Sequence, residues 1–214
     1  MPPVTPSDQH VLGVILAGGS SRRFGRDKCK ALLGGRPLLE WVVERACPQV
    51  GTLLLNTNKI AEDTGTAILE RIADKTPGEG PIAGILVALA DAERRGFSRV
   101  ATFACDTPFF PHDTVMRLDL ALSSSTADYA VASCGATAHR IFAIWPVECR
   151  AQLEDAFAAG TRSVRDIEHW LEPTWADFPK AGGPGGDPFF NVNASSDLEI
   201  AEQWLVAQRG ATKY

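Results

Sequence analysis

Short runs of apolar residues alternate along the chain with segments whose apolar residues recur at helical spacing. The first run, Val11–Leu16, is unbroken, which is typical of a strand buried on both faces of a sheet. Helical spacing begins after Pro37, a residue suited to a first helical turn, and returns from Pro81 to Gly96, a residue suited to a helix end. Further strands are predicted over residues 52–55, 67–73, 99–104, 129–133 and 140–145. Further helices are predicted over residues 113–122, 148–159 and 162–170, and from a capping box of Ser196 and Glu199 onward.

This alternation of strands and helices is typical of an α/β protein. We therefore predict a three-layer α/β/α fold with a mostly parallel, mixed sheet, Rossmann-like in the broad sense. One domain over residues 1–214 is expected from the length, with residues 1–9 as a flexible tail. In open sheets of this kind, ligands bind beyond the carboxyl ends of the strands.

Composition narrows the class of protein. The chain has 45% hydrophobic and 22% charged residues, as expected for a globular domain. No apolar run approaches the roughly 20 residues of a membrane span, and residues 1–9 lack the basic start of an export signal. A cytoplasmic protein without membrane contacts is therefore expected. The five cysteines form no C-x-x-C pair, so we interpret them as small apolar residues rather than metal ligands or disulfide partners.

The charges are unevenly distributed. The net charge of −5 has the wrong sign for a general nucleic-acid binder. Residues 20–36, however, contain six basic residues against the single acid Asp27. A local cationic patch on an acidic protein favours a small polyanion, such as a nucleotide, over a polymer.

The first strand is followed by a loop whose residue types suit phosphate binding. Gly18 and Gly19 allow backbone N–H groups to approach a phosphate closely. Arg23 and Lys28 can neutralise its oxygens. The loop matches neither the P-loop pattern nor the dinucleotide-binding G-x-G-x-x-G pattern. Taken alone, it also fits a glycine turn with a solvated basic surface.

Polar residues follow three further predicted strands. Asn56, Asp74 and Asp106 all stand where a strand ends, so the fold predicts that they converge. A carboxylate such as Asp106 is a hard oxygen ligand suited to Mg²⁺ beside phosphates. The alternative for each residue is an ordinary turn or cap at a strand end.

Several blocks resemble a known family. Residues 16–28 read Leu-Ala-Gly-Gly-x-Ser-x-Arg-Phe-Gly-x-Asp-Lys, similar to the signature of nucleotidyltransferases that are like sugar-nucleotide pyrophosphorylases. Within that group the chain most resembles the molybdenum cofactor guanylyltransferases. The likeness continues through residues 56–58, Asp74, and residues 80–84, 105–109 and 190–193, in family order.

The resemblance implies roles for individual residues. It implies nucleotide contacts at Leu16, Ala17, Gly18, Gly19, Lys28, Asn56, Asp74, Gly80 and Asp106. Catalytic roles are expected for Arg23, Lys28 and Asp106, with Mg²⁺ bound at Asp106. Closure of the site and contacts on the pterin side are expected from Asn191, Asn193 and His139. The chain departs from the family pattern at Phe24, at Arg140 and in a longer Gly/Pro loop over residues 181–186.

The implied activity is Mg²⁺-dependent transfer of GMP from GTP to molybdopterin, with or without its metal. Contacts with other molybdenum cofactor proteins are implied as well. Two alternatives stay open: a cytidylyltransferase of the same group, and a catalytically silent relative with a binding or regulatory role. The Gly/Pro loop at 181–186 suits either a lid over the ligand or a surface connection.

Overall fold

The computed structural model describes residues 10–17, 28–58, 69–74 and 78–211. The predicted tail at 1–9 and most of the glycine-rich loop after the first strand lie outside these segments. In the described segments, no helix combines the length and apolar character needed to cross a bilayer.

A mixed sheet forms the centre of the fold. In the part of the chain that the structure describes, seven strands join it in the order β5-β4-β1-β6-β8-β7-β9. They are β1 Val11–Leu16, β4 Thr52–Asn56, β5 Glu70–Ile72, β6 Arg99–Ala104, β7 Tyr129–Cys134, β8 Thr137–Pro146 and β9 Pro173–Asp177. The strands β5, β4, β1 and β6 are parallel, while β8 runs antiparallel to both β6 and β7. A separate small hairpin pairs β2 Leu32–Leu33 with β3 Arg36–Pro37. The predicted mostly parallel, mixed sheet is confirmed.

Helices cover both faces of this sheet. They are α1 Leu38–Ala46, α2 Pro81–Arg95, α3 Thr114–Ser123, α4 Arg150–Ala158 and α5 Ser195–Ala211. One core contains residues of α1 and α3, and a second contains residues of α2 and α4. Strand β1 contributes Ile15 to the first core and Val14 to the second. Its unbroken apolar run is therefore explained by burial on both faces. The three-layer α/β/α prediction is confirmed.

A third cluster attaches the last helix to the sheet. Leu205 of α5 packs with Leu33 of the small hairpin, Phe109 after β6 and the fully buried Val192. The rings of Phe109 and Trp204 lie 4.5 Å apart. The segment before α5 is thereby held against the end of β6.

Two local predictions were wrong, and one strand was missed. The predicted helix over residues 162–170 is a single 3₁₀ turn, Asp166–His169. Strand β9, which pairs in parallel with β7, was not predicted. Helix α5 begins at Ser195, and the side chain that reaches back to its start is Asp197, whose carboxylate accepts the N–H groups of residues 193 and 194. In a capping box, an acidic side chain in the first helical turn accepts an N–H group at the helix start. Asp197 fills that role here in place of the predicted Glu199.

Candidate functional site

The strand register brings several predicted residues to one edge of the sheet. Leu16, the last residue of β1, pairs with Asn56 of β4 on one side and with Ala104 of β6 on the other. Asn56 in turn pairs with Ile72 of β5. Ala17 continues this register, and its N–H donates to the Asn56 carbonyl at 3.0 Å. The residues that follow these four strands therefore share the carboxyl edge, where the fold class places ligands.

A hydrogen-bonded cluster of three side chains lies at the end of β4 and β5. Asn56 donates from Nδ2 to Oδ1 of Asp74 at 2.7 Å. Asn58 donates from Nδ2 to Oδ2 of the same carboxylate at 3.2 Å. Asn56 is only 2% exposed, whereas Asn58 is exposed. The two predicted residues Asn56 and Asp74 are thus brought into direct contact, and Asn58 joins them.

Helix α2 leaves room for this cluster at a glycine. A Cβ atom on Gly84 would stand 2.4 Å from Oδ1 of Asn56 and 3.0 Å from a methyl carbon of Leu16. Both distances are shorter than an ordinary van der Waals contact. The second glycine of the Gly-Pro-Ile-Ala-Gly block therefore serves close packing between α2 and the end of β4.

The turn before α2 depends on Gly80 and is braced by Arg162. Gly80 has φ 82°, and a Cβ atom there would lie 2.6 Å from the Arg162 carbonyl oxygen. The Arg162 side chain donates to Glu79, to the Phe157 carbonyl at 2.7 Å and to the Thr161 carbonyl at 3.1 Å. Sequence reasoning did not identify Arg162, because a single arginine in a loop carries no spacing signal.

Asp106 lies half-buried just beyond β6, in contact with the segment that precedes α5. Its carbonyl oxygen accepts the N–H of Val192 at 2.8 Å. Because Val192 is buried, its neighbours Asn191 and Asn193 are placed beside the end of β6, and both are exposed. The structure thus brings together Asp106 and the two asparagines, which are far apart in the sequence.

His139 lies in β8 and contacts the Gly/Pro-rich segment. Its ring centroid is 4.7 Å from that of Phe189, and Nε2 is 3.3 Å from Oδ1 of Asp187. Burial lowers the pKa of His139, and the Asp187 carboxylate partly opposes that shift. Asp187 Oδ1 also accepts the Phe189 N–H at 2.8 Å. Asp187 and Phe189 were not singled out as site residues, although His139 reaches the segment leading to Asn191 through them.

The Gly/Pro loop at 181–186 contains one short 3₁₀ turn, Pro184–Gly186, inside otherwise irregular backbone. A Cβ atom on Gly183 would fall 1.9 Å from the Asp187 carbonyl oxygen, so the loop folds tightly on itself there. Gly183 and Pro184 are buried, while Gly185 is exposed. Whether the loop covers a ligand stays a prediction.

Three of the four predicted phosphate-binding residues, Gly18, Gly19 and Arg23, lie outside the residues that the structure describes. The fourth, Lys28, begins a 3₁₀ turn, Lys28–Lys30. Arg36, counted in the cationic patch, lies 2.8 Å from Glu44 and 3.6 Å from Glu40. Its charge is therefore largely balanced within the protein.

The described residues contain no cluster of three or more His, Cys, Asp or Glu side chains that could hold a metal ion without further ligands. The five cysteines all lie among the described residues, where no disulfide joins them, and four are buried, as small apolar residues should be. Cys47 is the exposed one.

Comparison with known proteins gives a consistent result. The family model for the MobA-like NTP transferase domain matches residues 13–174. Molybdenum cofactor guanylyltransferase from Rhizobium meliloti is 41% identical, covering 90% of each chain. The corresponding protein from Rhizobium leguminosarum bv. trifolii is 39% identical over 93% of this chain and 95% of its own.

Among solved structures, molybdopterin-guanine dinucleotide biosynthesis protein A from Archaeoglobus fulgidus superposes with a TM-score of 0.72. It is 27% identical and aligns over 92% of this chain and 99% of its own. Sequence similarity over nine-tenths of the length and agreement of the fold point the same way. The chain belongs to the family of MobA-like NTP transferases.

Proposed function

We propose that this protein transfers GMP from GTP to the terminal phosphate of molybdopterin, with or without its bound metal, releasing pyrophosphate. The observation that carries the proposal is the 41% identity, over 90% of both chains, to a protein named molybdenum cofactor guanylyltransferase. The arrangement at the carboxyl edge supports it, because hydrogen-bonding side chains and a carboxylate stand where a nucleotide is expected to bind.

The base would bind at the cluster of Asn56 and Asp74, beside Leu16 and Ala17. Guanine presents two adjacent donors, N1–H and the 2-amino group, and a carboxylate presents two adjacent acceptors. Cytosine offers a single donor group there, its 4-amino group, so it would form one hydrogen bond fewer with the Asp74 carboxylate, and a hydrogen bond to a charged group contributes about 1.5–3 kcal/mol. Gly80, which directly precedes α2, would contribute backbone contacts to the nucleotide.

The phosphates would bind between the glycine-rich loop and Asp106. Backbone N–H groups at Gly18 and Gly19 and the side chains of Arg23 and Lys28 supply donors and positive charge. The Asp106 carboxylate at the end of β6 is a suitable ligand for Mg²⁺ when phosphates complete the coordination. A bound Mg²⁺ would neutralise charge that develops on the phosphate oxygens.

The reaction needs no nucleophile from the protein. An oxygen of the molybdopterin phosphate forms the new bond to the α-phosphorus of GTP, and the bond between that phosphorus and the bridging oxygen to the β-phosphate breaks. The electron pair leaves with pyrophosphate. The protein's contribution is positioning and stabilisation of negative charge. Asn191 and Asn193, beside the end of β6, and His139, which contacts the segment before them, would bind or enclose the pterin substrate.

The deciding experiment is turnover with molybdopterin and each of the four nucleoside triphosphates, together with calorimetric affinities. GTP should be preferred over CTP by about 10- to 100-fold, corresponding to the loss of one or two hydrogen bonds. Equal affinity for CTP would favour the cytidylyltransferase alternative. Binding of GTP without turnover of either nucleotide would favour a silent relative.

A further inference from the structure

The strongest unassigned feature is the side chain of Asn58, which completes the contact with Asp74. We infer that Asn58 is a positioning residue that fixes the plane of the Asp74 carboxylate for two-point recognition of a purine carrying a 2-amino group. The inference rests on the proposed function, because it concerns the same base subsite.

The geometry of the cluster supports this role. Asn56 and Asn58 each donate to a different oxygen of Asp74, at 2.7 and 3.2 Å. A carboxylate held at only one oxygen can rotate about its Cβ–Cγ bond, whereas bonds to both oxygens fix its plane. Each oxygen has two acceptor positions, so one on each stays available for a ligand donor. Two acceptors fixed in one plane match two adjacent N–H donors of a base.

The two asparagines differ in how firmly they are held. Asn56 is buried against Gly84, and its Nδ2 lies also 3.4 Å from the Ile72 carbonyl oxygen. Asn58 is exposed and stands two residues further along the chain. Removing Asn56 would leave a cavity beside Gly84, whereas removing Asn58 takes away one donor at the surface. Asn58 is therefore the position where carboxylate orientation can be tested separately from folding.

The experiment compares GTP and ITP, which lacks the 2-amino group, in the wild type and in Asn58→Ala. We expect GTP affinity to fall about tenfold and ITP affinity to fall distinctly less, because only GTP uses both oxygens. The KM for GTP should rise while kcat at saturation stays unchanged, since the inference places Asn58 at the base subsite and not at the reacting phosphates. Asn58→Asp, which replaces the donor with a second acceptor of the same shape and adds a like charge, should reduce GTP affinity further.

Two controls define the outcomes. In an Asp74→Ala background, Asn58→Ala should have no additional effect on either nucleotide. Gln152→Ala removes an exposed amide near the start of α4. Because β8 ends beside the start of β6, α4 begins at the edge of the sheet opposite to the site. This variant should leave the affinities for GTP and ITP unchanged. Equal losses for GTP and ITP, or an undiminished loss without Asp74, would overturn the positioning role alone. A wild type that binds CTP as tightly as GTP would overturn the proposed function and this inference with it.

Discussion

The two halves of the sheet build their parts of the site in different ways. In the parallel half, β5-β4-β1-β6, the register alone aligns the strand ends, so Asn56 and Asp74 meet directly. In the other half, β8-β7-β9, the relevant groups meet through contacts between distant segments. His139 reaches Asp187 and Phe189 across 48 and 50 positions of sequence, respectively.

Under the proposed function, this difference would separate recognition of the nucleotide from recognition of its acceptor. The parallel half presents a prearranged hydrogen-bonding cluster, which suits a base with a fixed donor pattern. The other half contributes His139 and the Gly/Pro loop at 181–186, and the segment before α5 adds two exposed asparagines; under the proposed function these groups would contact the larger acceptor. Asp106 lies at the boundary, after the last parallel strand, with its carbonyl bonded to Val192.

The boundary residue should give the largest effect. We expect Asp106→Asn to lower turnover about 10²-fold or more, because the site loses a charged oxygen ligand next to the phosphates. The affinity for GTP should fall less, since Lys28 and the loop N–H groups still hold the phosphates. The fold should persist, because asparagine keeps the shape and the bond to Val192 uses the backbone carbonyl.

Three measurements on Asp106→Asn test these expectations: the steady-state rate at saturating Mg²⁺, the GTP affinity by calorimetry, and the melting temperature. A near wild-type rate would show that Asp106 is a turn residue and that the metal is bound elsewhere. A collapse of the melting temperature would instead assign Asp106 a structural role.

A substitution at Gly84 should damage the parallel half selectively. In a helix interior, alanine is normally more favourable than glycine by about 1 kcal/mol, so propensity alone predicts that Gly84→Ala is stabilising. The added Cβ would stand 2.4 Å from Oδ1 of Asn56, so we expect destabilisation by about 1–3 kcal/mol instead. The displaced Asn56 should also weaken GTP binding about tenfold.

Chemical denaturation of Gly84→Ala shows whether the substitution raises or lowers the free energy of unfolding, and calorimetry measures its affinity for GTP. The KM for molybdopterin serves as the internal control, since the atoms nearest to a Cβ on Gly84 belong to Asn56 and Leu16 of the parallel half. A more stable variant with normal GTP affinity would mean that the close approach relaxes without consequence.

Sequence patterns predicted the parallel half well. Strands buried on both faces produce unbroken apolar runs such as Val11–Leu16, and glycine or proline marks the ends of α2. The polar residues at these strand ends were then predictable from the fold class. The positions of Asn56 and Asp74 at one edge follow from that logic, although their mutual hydrogen bond does not.

The same reasoning was weaker in the second half, for physical reasons. Edge strand β9 has an exposed Trp175 and only Ala176 fully in the core, so it lacks an apolar run. The region predicted as a helix forms just one 3₁₀ turn, because Ser163 bonds Asp166 locally and the chain then turns towards β9. Contacts such as His139 with Phe189 depend on tertiary packing and leave no periodic signal.

The smallest expected effect concerns pH and the second half alone. Burial lowers the pKa of His139 below its ordinary value of 6.5, although Asp187 opposes this, so the folded protein resists protonation there more than the unfolded chain does. As the pH falls through about 6.5, the unfolded chain takes up the proton first, and the free energy of unfolding decreases. The melting temperature of His139→Gln should therefore decline less than that of the wild type between about pH 7.5 and pH 5.5.

The pKa of His112 is also lowered, chiefly by burial, so part of the decline should persist in the variant. Comparing slopes against pH removes the constant cost of altered packing on Phe189. The GTP affinity should be the same in both proteins, because the proposed base subsite lies in the parallel half of the sheet. Parallel slopes of melting temperature against pH would show that His139 does not couple protonation to stability.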